Sequence, residues 1–333
     1  MCKTEVAMMN SAQLRILFAG NPSIAVPALV ELAKHAAIVG VLTNPDRPVG
    51  RGRHLEPPPV KAAAEQLGLP VLQYDRLGRD ARERASELQP NFLVSFACGH
   101  YFGPKFLSLF SQGAINIHPS LLPKYRGSAP LQFAIIHGEK ITGISIQRIV
   151  ETIDSGDVLA AEAIELEGTE TTEQLEAIVA PKAASLIVRT ITQLSSGSLV
   201  EQHQNEQDAT YTRLLTKSDG TIDWSERVQD IHGKVRAFLP WPKASTTFHG
   251  KLLHITGVYG SVFSVPHEPL EENAAPGTVI KVVKKRGLAV ACGDGILYVT
   301  RVQLAQKKEM DCFSFVNGNP EIVGSVLGSE NEE

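Results

Sequence analysis

A short apolar run that ends in two polar residues, within 113–127, constrains the fold more than any other stretch of this sequence. The run at 114–117 predicts a buried strand, and on a strand Asn116 and His118 point to the same face because side chains alternate. Pro119 stops the strand, since proline has no N–H to donate to a sheet. Both polar side chains are therefore expected at the carboxyl end of a strand, where open α/β sheets bind ligands.

A polar turn later in the chain adds a third candidate. Residues 142–150 form a β-rich run, and the turn that follows it, 152–157, carries Asp154. His118 can exchange a proton near neutral pH, Asn116 can donate a hydrogen bond to a developing oxyanion, and a carboxylate beside an imidazole fixes its orientation. Taken singly, the histidine or the asparagine is more readily explained as an ordinary polar residue at a sheet edge. Together they favour direct acyl-type transfer to an amine, because no Ser or Cys stands at a strained strand-to-helix turn as a nucleophile.

Two motifs resemble those of the folate-dependent formyltransferases. The first is Asn-Ile-His-Pro-Ser-Leu-Leu-Pro-Lys-Tyr-Arg-Gly at 116–127, and the second is Ile-Asp-Ser-Gly-Asp at 153–157. The resemblance implies that Asn116, His118 and Asp154 form the catalytic trio and that 10-formyltetrahydrofolate is the formyl donor. It also implies that the loop after the strand lines the folate site, through Ser120, Leu121, Leu122 and Pro123.

The turn after another buried strand departs from the family pattern. It reads Cys-Gly-His-Tyr-Phe-Gly-Pro at 98–104, where the family usually has Ala-Tyr-Gly-x-Ile-Leu-Pro. In the family this turn holds the pterin ring through backbone groups, so the resemblance assigns Gly99, together with Phe96 near the end of the strand, to the folate site. The departing residues are Cys98, His100, Tyr101 and Phe102.

A long loop at 44–61 carries Arg47, Arg51 and Arg53 among glycines and prolines. Links in α/β units usually have about 2–6 residues, and longer loops in compact domains are often functional. Composition alone favours a solvated basic loop. The loop resembles, however, an insert of the methionyl-tRNA formyltransferases that contains Pro-Asp-Arg-Pro and Gly-Arg-Gly and reaches the tRNA acceptor arm. The resemblance therefore assigns the three arginines to tRNA binding.

Short β-rich runs separated by turns fill residues 244–304, and this spacing predicts a small barrel. By resemblance it is the OB-like C-terminal barrel of the same family. A basic cluster within it is a candidate for contacts with tRNA phosphates or serves solubility alone. Its members are Lys281, Lys284, Lys285 and Arg286, of which the last three are assigned to tRNA binding. Lys124 and Arg126 are open candidates for the folate tail, for tRNA phosphates or for solvent exposure, and Ser225 is expected to cap a helix that runs to about Phe238.

The chain is therefore predicted to be an α/β protein with two domains. Its 333 residues are enough to bury a substantial core. We expect a Rossmann-like formyltransferase domain with a mostly parallel sheet, followed by an OB-like β-barrel domain that binds tRNA. The predicted boundaries are an N-terminal extension (1–13), the catalytic domain (14–194), a polar linker (195–209), the barrel domain (210–315) and a tail (316–333).

Composition limits the partners of such a chain. The net charge of −4 excludes a protein that is basic overall, so a nucleic-acid partner needs local basic patches. No apolar run approaches the roughly 18 residues that suggest a membrane span. No G-x-G-x-x-G follows the first strand, and the four cysteines lack the spacing of metal ligands. We expect a cytoplasmic protein with reduced thiols, no metal and no tightly bound cofactor, and a monomer as is typical of the family.

The combined hypothesis is transfer of the formyl group of 10-formyltetrahydrofolate to the α-amine of initiator methionyl-tRNA, through a tetrahedral intermediate. The product, N-formylmethionyl-tRNA, serves translation initiation. Two alternatives stay open. A formyltransferase for an amino sugar nucleotide would share the trio but would not need the arginine-rich loop. A non-catalytic tRNA-binding protein on the same fold would tolerate the altered turn at 98–102, although the intact trio argues against it.

Overall fold

The structure, a computed structural model, describes residues 14–49, 54–264 and 274–329. The α-helices are α1 (Val26–His35), α2 (Pro59–Gln66), α3 (Arg79–Glu87), α4 (Pro104–Leu107), α5 (Pro130–Ile136), α6 (Thr172–Ser195), α7 (Val228–Ala237) and α8 (Cys312–Gly318). The strands are β1 (Arg15–Gly20), β2 (Ala37–Thr43), β3 (Arg47–Val49), β4 (His54–Glu56), β5 (Val71–Gln73), β6 (Phe92–Phe96), β7 (Ala114–His118), β8 (Arg126–Gly127), β9 (Ile141–Arg148), β10 (Val158–Glu165), β11 (Tyr211–Thr212), β12 (Ala244–Phe248), β13 (Lys251–Val258), β14 (Val279–Val283), β15 (Gly287–Ala291), β16 (Ile296–Leu304) and β17 (Met310–Asp311).

The chain divides into two compact units, each made of three stretches of sequence. The first unit comprises Met1–Gly127, Gly143–Ile164 and Glu176–Tyr211. The second unit comprises Ser128–Thr142, Glu165–Leu175 and Thr212–Glu333. Each unit therefore combines residues that are distant in sequence.

The first unit is built on a seven-stranded sheet with the order β10-β9-β7-β6-β1-β2-β5. The strands from β5 to β7 run parallel, and β9 is antiparallel to β7. All five residues of β6 are buried, as expected for an apolar strand covered on both faces. The strand order reverses at β1, which lies between β2 and β6, and open α/β sheets bind ligands at the carboxyl ends of strands near such a reversal. The mostly parallel Rossmann-like sheet predicted from the sequence is confirmed.

Two separate two-stranded sheets accompany the seven-stranded sheet. β3 and β4 form an antiparallel hairpin in which Arg47 is opposite Glu56, so the predicted arginine-rich loop is in part a β-hairpin. Arg51 and Arg53 lie outside the described residues. β8 pairs with β11, which brings 126–127 beside 211–212.

The second unit contains a six-stranded antiparallel sheet. Its main path is β12-β13-β16-β15-β14, and β17 pairs with β16. Over the described part of the chain this path is open, and it is compatible with the OB-like fold expected for the C-terminal domain. The inner face carries a core that includes Ile231 and Val235 from α7 and Phe315 from α8. Gly233 allows α7 to approach α5 closely, since a Cβ there would lie 2.8 Å from the carbonyl oxygen of Ile136.

One local prediction in this unit is wrong. Ser225 does not cap α7: its N–H and Oγ both donate to Asp223 Oδ1, at 2.9 and 2.6 Å. The helix begins three residues later, and Asp294 Oδ1 accepts the Val228 N–H at 2.8 Å. A carboxylate from a distant turn therefore satisfies this free helix N–H, in place of the nearby serine.

No helix within 14–49, 54–264 and 274–329 is both long and apolar enough to cross a membrane.

Candidate active site

The carboxyl half of β7 and the facing part of β9 present polar side chains on one face. Asn116 is directly opposite Gln147 of β9, and His118 is opposite Ser145. On the other side of β7, Asn116 is opposite Ser95 of β6. Residues opposite each other in a sheet share a face, so β7 and β9 line up a polar row, as the alternation at Asn116 and His118 predicts.

His118 is 3% exposed, and both of its ring nitrogens face acceptors. Nε2 donates to the carbonyl oxygen of Tyr125 at 2.8 Å, and Nδ1 lies 3.5 Å from Oδ2 of Asp154. A neutral imidazole carries a hydrogen on only one nitrogen, whereas the imidazolium carries one on each. An acceptor beside each ring nitrogen fixes the orientation of the imidazole.

Asp154 is held at both carboxylate oxygens. Oδ2 accepts the Gly127 N–H at 2.8 Å, and Oδ1 accepts from Gln147 Nε2 at 2.6 Å. Each oxygen of a carboxylate can accept more than one hydrogen bond, so Oδ2 can still face His118. The structure thus brings together two of the three predicted catalytic residues, with Asn116 on the same face of β7 two residues before His118.

Three residues of the first unit around this edge adopt left-handed backbone conformations without being glycine. They are Ala97 at φ 49°, Tyr125 at φ 61° and Asp154 at φ 53°. Such a conformation costs on the order of 1 kcal/mol or more for a residue with a Cβ, and it persists where surrounding contacts determine it. Backbone strain of this kind is concentrated at functional sites in proteins.

The loop predicted to line the folate site is tied to β9. Ser145 Oγ donates to the carbonyl oxygen of Ser120 at 2.8 Å and accepts the Leu122 N–H at 3.0 Å. The Ser120 hydroxyl donates to the Lys124 carbonyl at 2.6 Å, so it is used inside the loop. Leu121, Leu122 and Pro123 are half-buried. The loop therefore presents apolar side chains on a fixed backbone.

Phe96 is fully buried, so its side chain is not exposed to a ligand. Gly99 has φ +77°, and no atom lies within 4 Å of the position a Cβ would occupy. Cys98 and Phe102 belong to an apolar cluster with Phe106, and burial raises the pKa of the Cys98 thiol to about 12. Two of the four departures from the family pattern are therefore core substitutions.

The other two departures differ from each other. Tyr101 is exposed. His100 is half-buried, its Nε2 has no hydrogen-bond partner among the described residues, and burial lowers its pKa. Neither observation gives His100 a catalytic partner.

The candidate tRNA-binding residues that are described have different surroundings. Arg47 is exposed on β3, and Lys284 and Lys285 are exposed in the turn between β14 and β15. Arg286 is half-buried, with its guanidinium 5.3 Å from the ring centroid of Tyr298 and 5.9 Å from that of Tyr259. Contact with two aromatic rings holds the Arg286 side chain against the barrel surface.

The sequence analysis did not predict three polar residues at the site, which are Ser145, Gln147 and Gln204. The structure also shows the partner of Arg126, whose role the sequence left open. Gln147 binds Asp154, and the sequence does carry a signal for it: Ser145 and Gln147 alternate with isoleucines in β9. Arg126 is 1% exposed and pairs with Glu206, so neither solvent exposure nor a folate or phosphate contact describes its side chain. Gln204, which binds Arg126, has no local signal at all, since it lies in a polar segment predicted to be a linker.

Comparison with known proteins was made at the level of families, sequences and structures. A family model described as "Formyl transferase" matches residues 14–191, and one described as "Formyl transferase, C-terminal domain" matches residues 214–320. The chain belongs to the formyl transferase family. The sheet edge with Asn116, His118 and Asp154 lies within the first matched range.

Relatives of similar length extend over nearly the whole chain. A methionyl-tRNA formyltransferase of Treponema denticola is 37% identical over 318 residues, covering 93% of this chain and 98% of that protein. One of Anaeromyxobacter dehalogenans is 40% identical over 312 residues, covering 92% of this chain and 97% of that protein. This formyl transferase is therefore similar to enzymes of that name in both of its units.

A solved structure supports the same fold. The N-formyltransferase from Helicobacter canadensis, in complex with folinic acid and dTDP-3-aminofucose, matches with a TM-score of 0.63. The match covers 89% of this chain and all of the other, at 17% sequence identity. At that identity the likeness shows a shared fold and does not transfer a substrate.

Proposed function

We propose that this chain transfers the formyl group of 10-formyltetrahydrofolate to the α-amine of initiator methionyl-tRNA. The observation that carries the proposal is the buried His118–Asp154 pair, two residues along β7 from Asn116, in a chain similar over nearly its full length to methionyl-tRNA formyltransferases. The amino sugar alternative is supported by sugar N-formyltransferases that share the fold at 17% sequence identity.

In the proposed reaction the amine nitrogen attacks the formyl carbon of the donor. A C–N bond forms, and the electron pair of the C=O bond moves to oxygen. The amide of Asn116 donates a hydrogen bond to this oxyanion, and the positive charge of the His118 imidazolium stabilises it further. Asp154 orients the His118 ring, because Gln147 and the Gly127 N–H hold the Asp154 carboxylate in place.

Collapse of the intermediate re-forms the C=O bond and breaks the bond between the formyl carbon and the folate nitrogen. The amine loses one proton and the folate nitrogen gains one, so protons balance over the reaction. We assign the transfer of that proton to the His118–Asp154 pair. The rate is expected to rise with pH as the substrate amine deprotonates, because only the neutral amine attacks.

The tRNA-binding assignment rests on the resemblance and on exposed positive charge. Arg47, Lys284 and Lys285 are exposed, and phosphate contacts by such residues give affinity that falls with salt. The folate assignment of Ser120, Leu121, Leu122, Pro123, Phe96 and Gly99 likewise remains part of the proposal. So do the tRNA-binding role of the second unit, the monomeric state, and the cytoplasmic location.

The test is single-turnover formyl transfer from 10-formyltetrahydrofolate to charged initiator tRNA, with an amino sugar nucleotide as the competing acceptor. We expect formylation of the tRNA alone, and loss of turnover in His118→Ala with tRNA binding retained. Turnover with the sugar nucleotide and none with tRNA would move the chain to the alternative function. Full activity in His118→Ala would refute the mechanism.

A further inference from the structure

Residues 202–211, here called the strap, are built into the first unit rather than lying loose on it. Gln202 forms an antiparallel bridge with Val158, with both N–H···O distances at 2.8 Å. At the other end, the carbonyl oxygen of Thr210 accepts the Arg126 N–H and its Oγ1 accepts the Tyr125 N–H, each at 2.8 Å. The strap thus runs alongside the two loops that contact His118 and Asp154.

In the middle of the strap one buried amide joins those loops. The Gln204 side chain is 4% exposed. Its Nε2 donates to the carbonyl oxygens of Gly156 at 2.7 Å and Asp154 at 3.0 Å, and its Oε1 accepts from Arg126 Nε at 3.0 Å. The amide orientation is unambiguous, because two carbonyls need a donor and a guanidinium needs an acceptor.

Arg126 connects the amide to the loop on the His118 side. Its two terminal nitrogens bind the Glu206 carboxylate at 2.8 and 2.9 Å, a bidentate arrangement that fixes the guanidinium plane. This hydrogen bond also holds the pKa of Glu206 below its usual value, so the carboxylate stays charged. Glu206 is exposed, whereas the Arg126 side chain is buried, so the strap supplies the counter-ion for a charge inside the unit.

The residues on either side of Arg126 contact the two proposed catalytic residues His118 and Asp154. The residue before it, Tyr125, accepts the hydrogen bond of His118 Nε2, and the residue after it, Gly127, donates to Asp154 Oδ2. Anchoring Arg126 therefore fixes one backbone contact of the imidazole and one of the carboxylate. Gln204 fixes the Asp154 backbone from the other side.

We propose that Gln204 and Arg126 are positioning residues for the formyl transfer, through which the strap sets the distance and orientation of Asp154 relative to His118. The proposal rests on the proposed function for the identity of the reaction. Neither side chain contacts the reacting groups, so both act through Asp154 and the 125–127 backbone. Outer contacts of this kind commonly change rates by about 10–100-fold, since small displacements of a catalytic group are costly.

The test compares kcat and KM of Gln204→Ala with those of the wild type. We expect kcat to fall about 10–100-fold while KM for the donor and for the tRNA changes by less than about threefold. His203→Ala is the matched control: it lies next to Gln204 in the strap, is exposed, and pairs with Asp157 at 2.8 Å. We expect it to keep kcat within about twofold.

Gln204→Glu guards against loss of fold in the alanine variant. It keeps the size and the acceptor for Arg126 but removes the donor to the carbonyls of Asp154 and Gly156. We expect the same loss of kcat, measured at a temperature where circular dichroism shows the variant to be folded. Wild-type kcat in Gln204→Glu would overturn the proposal.

A double-mutant cycle separates positioning from a general structural effect. If Gln204 acts through Asp154, adding Gln204→Ala to Asp154→Asn should lower kcat by less than about threefold beyond the single Asp154 variant. Multiplicative losses would overturn the proposal. A wild-type protein without turnover on methionyl-tRNA would reject the proposed function itself. Normal wild-type turnover with normal kcat in the Gln204 variants would reject only the role of the strap.

Discussion

Among the described residues, each unit of the molecule buries one arginine, and the two arginines have different partners. Arg126 in the first unit is 1% exposed and Arg236 on α7 in the second is 5% exposed. Arg126 has a bidentate carboxylate partner, and the hydrogen bonds of that pair raise its pKa. Arg236 donates instead to a ring nitrogen of His232 at 3.1 Å and to the carbonyl oxygen of Glu170 at 3.0 Å.

The partners of Arg236 leave part of its guanidinium unsatisfied. Its Nη2 is buried with no hydrogen-bond partner among the described residues, and burial lowers the pKa of the guanidinium to about 10. The Arg236 side chain ties the segment before α6 to α7. Both segments are distant along the chain from every proposed catalytic residue. The difference is that the residues on either side of Arg126 contact His118 and Asp154, so burial of an arginine does not by itself point to the proposed site.

The largest expected effect is at the carboxylate that the Arg126 network holds. Asp154→Asn removes the negative charge beside His118, so the imidazolium is no longer stabilised from that side. We expect kcat to fall about 10³-fold, within the range for loss of acid–base catalysis. Single-turnover formylation measures this. Asp157→Asn, in the same turn but paired with His203 at the surface, is the control and should stay near wild type. Equal losses in both variants would show that the turn, not the charge, matters.

The second prediction concerns the network around Arg236. Burial and the nearby Arg236 charge lower the pKa of His232 from 6.5 to about 4. Below pH 6.5 the unfolded chain binds a proton at this histidine that the folded chain binds only near pH 4. This contribution to stability is therefore complete above pH 6.5 and is lost as the pH falls toward 4, up to about 3 kcal/mol in total.

Thermal unfolding between pH 7 and pH 4 checks this contribution. His232→Gln should flatten the pH dependence, because glutamine does not titrate. His249→Asn is the control, since His249 is exposed and asparagine tolerates its φ of 48°. An identical pH slope in wild type and His232→Gln would contradict the expectation.

The third prediction compares substitutions of the two buried arginines. Arg126→Met should lower kcat about 10–100-fold, because the 125–127 backbone loses its anchor. Arg236→Met should keep kcat within about twofold but lower the thermal midpoint, since His232 Nδ1 and the Glu170 carbonyl lose their donor. Steady-state kinetics and thermal melts of both variants are the measurement. A kcat loss in Arg236→Met of the same size would erase the distinction between the two networks.

The smallest expected effect belongs to an arginine that the sequence assigns to tRNA. Arg51→Ala should raise KM for tRNA about tenfold with little change in KM for the folate donor, and the salt dependence of tRNA binding should weaken. Arg79→Ala, an exposed arginine on α3 paired with Glu83, is the charge-matched control. Unchanged tRNA binding in Arg51→Ala would contradict the assignment of Arg51 to tRNA binding. The comparison would then rest on Arg126 and Arg236.

Much of the first unit's edge is determined by local sequence. The apolar run of β7, the alternation of Asn116 and His118, and the stop at Pro119 follow from strand geometry and the missing proline N–H, and these rules act between neighbours. The same holds for the mostly parallel sheet and for the turn that carries Asp154. The motifs built on these residues are what placed the chain in its family.

Only the tertiary structure decided the hydrogen-bond partners of the polar groups. Arg126 and Gln204 are 78 residues apart, and Val228 takes its helix-capping acceptor from Asp294, 66 residues away, although Ser225 is close by. A polar side chain binds whichever group folding brings within about 3 Å, and that choice depends on how distant segments pack. For this reason the sequence determines which residues stand on the catalytic face of β7, whereas the fold determines what holds them in place.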